Sequence, residues 1–142
     1  MPSGNYELKF DGYWRTPNIN AIPGKSGIYC VYACTHNAQE KTVSIRKLLY
    51  IGESENVNDR VSGHELKEKW DRQLSKGEVL CFNMAEITPE SARKRAEAAM
   101  IYHHKPPCNE EYSDSFPYDR TTITISGKKA KLESNFTVDR TK

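Results

Sequence analysis

Apolar residues occur in four short runs that predict β-strands in the first part of the chain. Residues 6–14 (YELKFDGYW) roughly alternate and predict a short N-terminal strand. Residues 27–34 (GIYCVYAC) are rich in aromatic and β-branched side chains, which is typical of a buried strand. Residues 42–51 predict the next strand, and the short polar connection between the two favours an antiparallel hairpin. Residues 78–87 (EVLCFNMAEI) predict a further strand.

Helical spacing predicts two helices after the hairpin. The first covers about residues 56–61, and Gly63 is expected to break or bend it. The second covers residues 64–75 and ends near Gly77, because apolar side chains recur at every fourth position and form one stripe. The residues of that stripe are Leu66, Trp70 and Leu74.

A third helix is predicted at residues 90–104 (ESARKRAEAAMIYHH). Thr88 is expected to cap it, with Pro89 at the first helical position, where a missing N–H costs nothing. The prolines of residues 105–109 (KPPCN) end it. Residues 121–138 (TTITISGKKAKLESNFTV) alternate on both sides of a turn and predict a C-terminal hairpin.

These elements follow the order β-β-α-α-β-α, with an additional N-terminal strand and a C-terminal hairpin. The chain of 142 residues has a common size for one domain, and no internal repeat or linker divides it. We therefore expect residues 1–142 to form a single domain.

The formal net charge of +2 neither demands nor excludes nucleic acid as a partner, so only local clusters of basic residues are informative. Two short basic runs, RKR at residues 93–95 and KKAK at residues 128–131, are most simply solvated surface. In the first run, Arg93 and Lys94 are nevertheless candidates for supporting a site or contacting DNA.

The sequence favours an intracellular protein. No apolar run reaches the ~20 residues of a membrane span, and the N-terminus MPSGNYELKF lacks the apolar segment of a secretory signal. We expect a cytoplasmic protein without membrane contact. The cysteines lack the close pairs of a zinc site and are expected to be buried free thiols; they are Cys30, Cys34, Cys81 and Cys108.

Two tyrosines lie on the strands expected to form the first hairpin. Tyr29 ends the tripeptide GIY and Tyr50 begins the tripeptide YIG. Antiparallel pairing can bring such side chains within a few ångströms of each other. Packing in the core is the alternative explanation for both.

A polar row follows the second of these strands. Arg60 and His64 are four residues apart, so a continuous helix would present both on one side, with Asn56 one turn earlier. For Arg60 the alternative is a surface ion pair with Asp59 or Glu53. For His64 it is a helix start or a surface imidazole.

Glu97 lies beside a stripe of small and apolar residues on the third predicted helix. Small alanines let this helix approach the sheet, and an unpaired buried carboxylate would be costly. Glu97 is therefore expected either to pair with Arg93 or Arg95 or to bind a metal ion.

The combination of these motifs resembles the GIY-YIG nuclease domain. The resemblance covers about residues 26–109 and rests on residues in the expected order. They are the tripeptides at 27–29 and 50–52, Arg60, His64, Glu97, and Asn109 in KPPCN. The resemblance implies a small sandwich of the α/β (α+β) class. With the element order, it predicts a central antiparallel three-stranded sheet flanked by helices and a C-terminal extension at residues 110–142.

The resemblance also implies a role for each matching residue. Glu97 would bind the metal ion, Arg60 would contact the scissile phosphate, and Asn109 would support the site. Tyr29 and Tyr50 would lie at the reaction centre, and His64 matches a histidine found in part of the family. Tyr29 is expected to act as the base or to position the water, while Tyr50 contacts phosphate or water. As a base, Tyr29 would need nearby positive charge, since its ordinary pKa is about 10.

The sequence thus predicts a divalent-metal-dependent DNA endonuclease that uses Mg²⁺ or another divalent cation such as Mn²⁺. Its expected partners are DNA and either a second copy of the chain or a protein that supplies specificity. The alternatives are a nucleic-acid-binding module that has lost cleavage and an interaction domain in which the tyrosines pack. A restriction, repair or homing role stays open.

Overall fold

The fold is a mixed α and β structure built on one sheet. A computed structural model describes residues 3–63 and 67–141. Its strands are β1 (Gly4–Arg15), β2 (Gly27–Asn37), β3 (Thr42–Ser54), β4 (Val79–Glu86), β5 (Thr121–Gly127) and β6 (Asn135–Val138). Its helices are α1 (Val57–Ser62), α2 (Lys67–Asp71) and α3 (Glu90–His104), with a 3-10 helix at Thr16–Ala21.

Within the described residues, the sheet contains six strands in the order β3-β2-β4-β1-β5-β6. Strands β3, β2 and β4 are antiparallel neighbours, and β5 pairs with β6 in the predicted hairpin. The N-terminal strand β1 lies between β4 and β5 and pairs with β5 in parallel. The predicted three-stranded sheet is therefore wrong, as is its purely antiparallel character. The general α+β class is confirmed.

Both faces of the sheet are covered where the strands β2, β3 and β4 lie. Successive residues of a strand point to opposite faces. Tyr29, Val31 and Ala33 of β2 join a core with α1 and α2, whereas Ile28 and Cys30 join a core with α3. Burial on both faces explains why β2 is a continuous apolar run rather than an alternating one.

The helix boundaries agree with several predictions and correct two. Helix α3 has the predicted bounds, but Pro89 occupies the capping position without a side-chain bond, so the predicted Thr88 cap is wrong. A proline at this position already supplies a fixed, extended entry into the helix. Helix α2 ends at Asp71, earlier than the predicted Ser75, and its predicted start at residues 64–66 lies outside the described residues.

All four cysteines are buried and free, as predicted. Among the described residues, no helix has the length and apolar character needed to cross a membrane.

Candidate active site

The two motif tyrosines meet on the face of the sheet that α1 and α2 cover. Their ring centroids are 6.1 Å apart, with the rings inclined at 40°. Tyr29 is almost completely buried, while Tyr50 is half-buried and lies 5.5 Å from the ring of Trp70. The hairpin thus brings the two phenols together as predicted.

The glycines of the two tripeptides are required by close packing. Gly52 pairs with Tyr29 across the hairpin, and a Cβ at Gly52 would come within 2.5 Å of the Tyr29 hydroxyl. A Cβ at Gly27 would come within 2.3 Å of the Ala85 carbonyl oxygen. Contacts this short cannot be accommodated without moving the ring or the backbone. Glycine is therefore required at Gly52 for the packing of the Tyr29 ring and at Gly27 for the approach of the Ala85 backbone.

Arg60, exposed on α1, interacts with both phenols. Its charge and its hydrogen-bonding contact favour the ionised form of each phenol, but burial opposes this more strongly. Burial raises the pKa of Tyr29, and the neighbouring Tyr50 raises it further. Burial followed by Glu97 also raises the pKa of Tyr50. Both phenols are therefore neutral at physiological pH, which favours positioning of water over proton abstraction by Tyr29.

Glu97 projects from α3 into a cleft of about 170 Å³ that Tyr50, Asn109 and Tyr112 also line. The backbone of Glu53 favours the ionised form of the Glu97 carboxylate. Burial and the carboxylates of Glu53 and Glu111 nevertheless raise the pKa of Glu97 to about 8.

Asn109 holds the outer edge of β3. Its side chain accepts a hydrogen bond from the Ile51 N–H and donates one to the Ile51 carbonyl, both at 2.9 Å. The N–H of Cys108 donates to the carbonyl of Leu49 at 2.9 Å. This segment therefore pairs with the backbone on both sides of Tyr50. Asn109 thus holds the strand that carries Tyr50, while its role in a functional site stays a prediction.

The other predicted supporting residues have local structural contacts. Asn56 caps α1, accepting a hydrogen bond from the Asp59 N–H at 3.1 Å. Lys94 is exposed and pairs with Glu90 at 2.9 Å. Arg93 is buried and donates to the Glu53 carboxylate, so its guanidinium is shielded from solvent. His64 lies outside the described residues.

Three further side chains at the site were not predicted as site residues. Glu53 interacts with Glu97, and Glu111 and Tyr112 line its cleft. Glu53 directly follows the second tripeptide, but its contact with α3 spans about forty residues and has no local signal. Tyr112 has a positive φ of 63°, which is uncommon for a residue other than glycine.

The residues around Glu97 fit a hard divalent cation held largely by its substrate. Within residues 3–63 and 67–141, no group of three or more His, Cys, Asp or Glu side chains is arranged to hold a metal ion. Mg²⁺, however, commonly binds one or two carboxylates and takes its other ligands from water and substrate phosphate. A cation beside Glu97 would also offset the repulsion from Glu53 and Glu111 that raises its pKa.

Comparison with protein-family models, with curated proteins and with solved structures finds no match to this chain. The interpretation of the site therefore depends on its own residues and their geometry.

Proposed function

We propose that the protein is a divalent-metal-dependent DNA endonuclease that hydrolyses phosphodiester bonds. The observation that carries the proposal is the meeting of two phenols, a guanidinium and a carboxylate. Tyr29, Tyr50, Arg60 and Glu97 come from β2, β3, α1 and α3, and each phenol interacts electrostatically with both Arg60 and Glu97. Positive charge, polar donors and a cation ligand that interact with one another suit the charge that builds on a phosphate during in-line attack.

The loss of stability that a half-buried carboxylate at Glu97 causes argues against a purely structural role for this residue. A half-buried carboxylate whose pKa is raised to about 8 destabilises the folded protein at neutral pH, because ionisation is opposed by burial. Strongly perturbed groups in a cleft are typical of functional sites. An interaction domain would gain stability from an amide or an apolar residue at this position.

Each residue has a role consistent with its surroundings. Arg60 would bind the scissile phosphate, since a guanidinium is permanently charged and can form two parallel bonds to phosphate. Glu97 would hold Mg²⁺ or Mn²⁺, which when bound supplies positive charge to the phosphate and the leaving oxygen. Tyr29 and Tyr50, as neutral phenols, would orient the attacking water and the phosphate by hydrogen bonding.

Incubation of the purified protein with supercoiled plasmid, with and without Mg²⁺, tests the proposal. We expect nicking only with Mg²⁺, and a loss of at least about 100-fold in Arg60→Ala and Glu97→Gln. Glu97→Gln should still bind DNA. Ser91→Ala, an exposed change on the same helix, is the matched control and should cleave normally. Equal, Mg²⁺-independent binding without cleavage by all four proteins would instead support an inactive nucleic-acid-binding module.

The partner that completes double-strand cleavage is part of the proposal. One site of this kind cuts one strand, so cutting both strands calls for a second copy of the chain or for a partner protein that supplies specificity. Sedimentation of the protein on a short duplex tests this point. A monomer that cuts both strands of the duplex in a single binding event would contradict the need for a second copy or a partner protein.

A further inference from the structure

Two arginines of α3 are buried, and they bond to different strands of the sheet. Arg93 and Arg95 are 7% and 8% exposed. Arg95 donates to Thr121 Oγ1 at 2.8 Å and to the carbonyl oxygens of Asp119 and Arg120 at 3.1 and 3.0 Å, which ties α3 to the start of β5. Arg93 turns the other way, toward the candidate active site.

The Arg93 guanidinium joins two strand ends to the helix. Its Nε donates to Glu53 near the end of β3, and a terminal nitrogen donates to Ser26 Oγ at 2.9 Å. Ser26 directly precedes β2, and its hydroxyl donates onward to the Ile87 carbonyl at 2.7 Å. Because that hydroxyl hydrogen is used, the oxygen accepts from Arg93. Two of the three guanidinium nitrogens of Arg93 are therefore hydrogen-bonded.

Glu53 contacts α3 twice. Its side chain accepts from Arg93, and its backbone and its carboxylate act electrostatically on the carboxylate of Glu97, one helical turn later. Glu53 also follows Gly52, against which the Tyr29 ring lies. It thus connects the strands that carry the phenols with the helix that carries the carboxylate.

We propose that Arg93 is a positioning residue of the active site, which fixes Glu53 and thereby aligns Glu97 with Tyr29 and Tyr50. The inference rests on the proposed function and adds to it a residue that touches neither substrate nor cation. Its role is geometric, because an error of about 1 Å in the placement of a reacting group can cost about 100-fold in rate.

Lysine and glutamine substitutions separate this role from charge and from general stability. Arg93→Lys keeps the positive charge but loses the planar fork that reaches both Glu53 and Ser26. Glu53→Gln keeps an oxygen that can accept from Arg93 and removes the negative charge. Arg95→Lys is the matched control, because it disturbs an equally buried arginine of the same helix on the β5 side.

The full-length variants are compared by kcat and KM for cleavage of a short duplex with Mg²⁺, and by thermal unfolding. Mn²⁺ binding without DNA is measured by electron paramagnetic resonance. We expect Arg93→Lys to lower kcat about 100-fold with KM within about twofold, and to weaken Mn²⁺ binding about tenfold or more. Arg95→Lys should lower the unfolding midpoint similarly and leave kcat and Mn²⁺ binding unchanged. Glu53→Gln should lower kcat less than Arg93→Lys does, because its amide oxygen still accepts from Arg93.

Equal kcat and equal Mn²⁺ affinity in Arg93→Lys, Arg95→Lys and the wild type would overturn the proposal, whatever their unfolding midpoints. If Arg93→Lys fails to fold, Ser26→Ala removes one hydrogen-bond acceptor of Arg93 without a change of charge. An unchanged kcat in Ser26→Ala counts against a positioning role for Arg93. If the wild type cleaves no DNA, the endonuclease proposal fails, and the Mn²⁺ comparison still decides the alignment. Weaker binding in Arg93→Lys alone supports it, while equal or absent binding refutes it.

Discussion

Replacing Glu97 with glutamine should stabilise the protein above neutral pH. The pKa of Glu97 is raised from 4.5 to about 8, mainly by burial and then by Glu53 and Glu111. Between these pH values the folded protein keeps a proton that the unfolded chain has released, so stability falls as the pH rises. Below pH 4.5 the carboxyl is protonated in both states and the penalty is absent. Glutamine never ionises and escapes the penalty throughout.

The size of the effect follows from the two pKa values. A rise from 4.5 to about 8 corresponds, at 1.36 kcal/mol for each pH unit, to about 5 kcal/mol. The side chain is only partly buried, so solvent screening reduces this value, and we expect about 2–4 kcal/mol. That is a large share of the 5–15 kcal/mol that typically stabilises a domain.

Urea unfolding at pH 5, 7 and 9 in the presence of EDTA measures this difference through tryptophan fluorescence, since Trp70 lies against Tyr50. The free energy of unfolding of Glu97→Gln minus that of the wild type should increase by about 2–4 kcal/mol from pH 5 to pH 9. Glu55→Gln is the control, because Glu55 is exposed; it should change stability by less than about 0.5 kcal/mol. A difference that does not vary with pH would show that the Glu97 carboxylate does not destabilise the folded protein through a raised pKa.

Three further predictions concern the surroundings of Glu97. Gly52→Ala would press a methyl group against the Tyr29 ring, so thermal unfolding should show a loss of about 1–3 kcal/mol and plasmid nicking should fall sharply. Asn109→Ala removes both hydrogen bonds to Ile51 and should cost about 1–3 kcal/mol in urea unfolding; an unchanged midpoint would contradict the edge support. Tyr112→Phe keeps the ring that lines the Glu97 cleft, so it should fold normally, and a changed KM for DNA would show that its hydroxyl contacts the substrate.

Local features of the fold could be predicted because their causes are local. Helix α3 has the predicted bounds, since prolines mark both ends. Strand β2 was recognised from its continuous apolar run, which burial on both faces explains. The placement of β1 could not be predicted in this way. Its partner β5 begins more than one hundred residues later, and hydrophobic alternation gives a strand its faces but not its neighbours.

The candidate site shows the same division. Tyr29 and Tyr50 meet because adjacent strands of one hairpin carry them, and Arg60 lies on the helix that follows directly. A pair between Glu97 and Arg93 is one of the alternatives that the sequence leaves open, since spacing of four on a helix favours it. In the folded chain, β3 presents Glu53 to Arg93 instead, and the competition between two carboxylates for one guanidinium is decided by tertiary contacts.

The segment predicted as a C-terminal extension takes part in building the site. Strands β5 and β6 belong to the same sheet as the tyrosines, and Arg95 fastens α3 to Thr121 at the start of β5. Glu111 and Tyr112 line the cleft around Glu97. Helix α3 therefore contacts residues on both of its sides in sequence: Arg93 bonds Glu53 of β3, and Arg95 bonds Thr121 of β5. The cleft around Glu97 is lined by side chains from β3, from α3 and from the segment after α3, which is why the motif residues alone do not define its geometry.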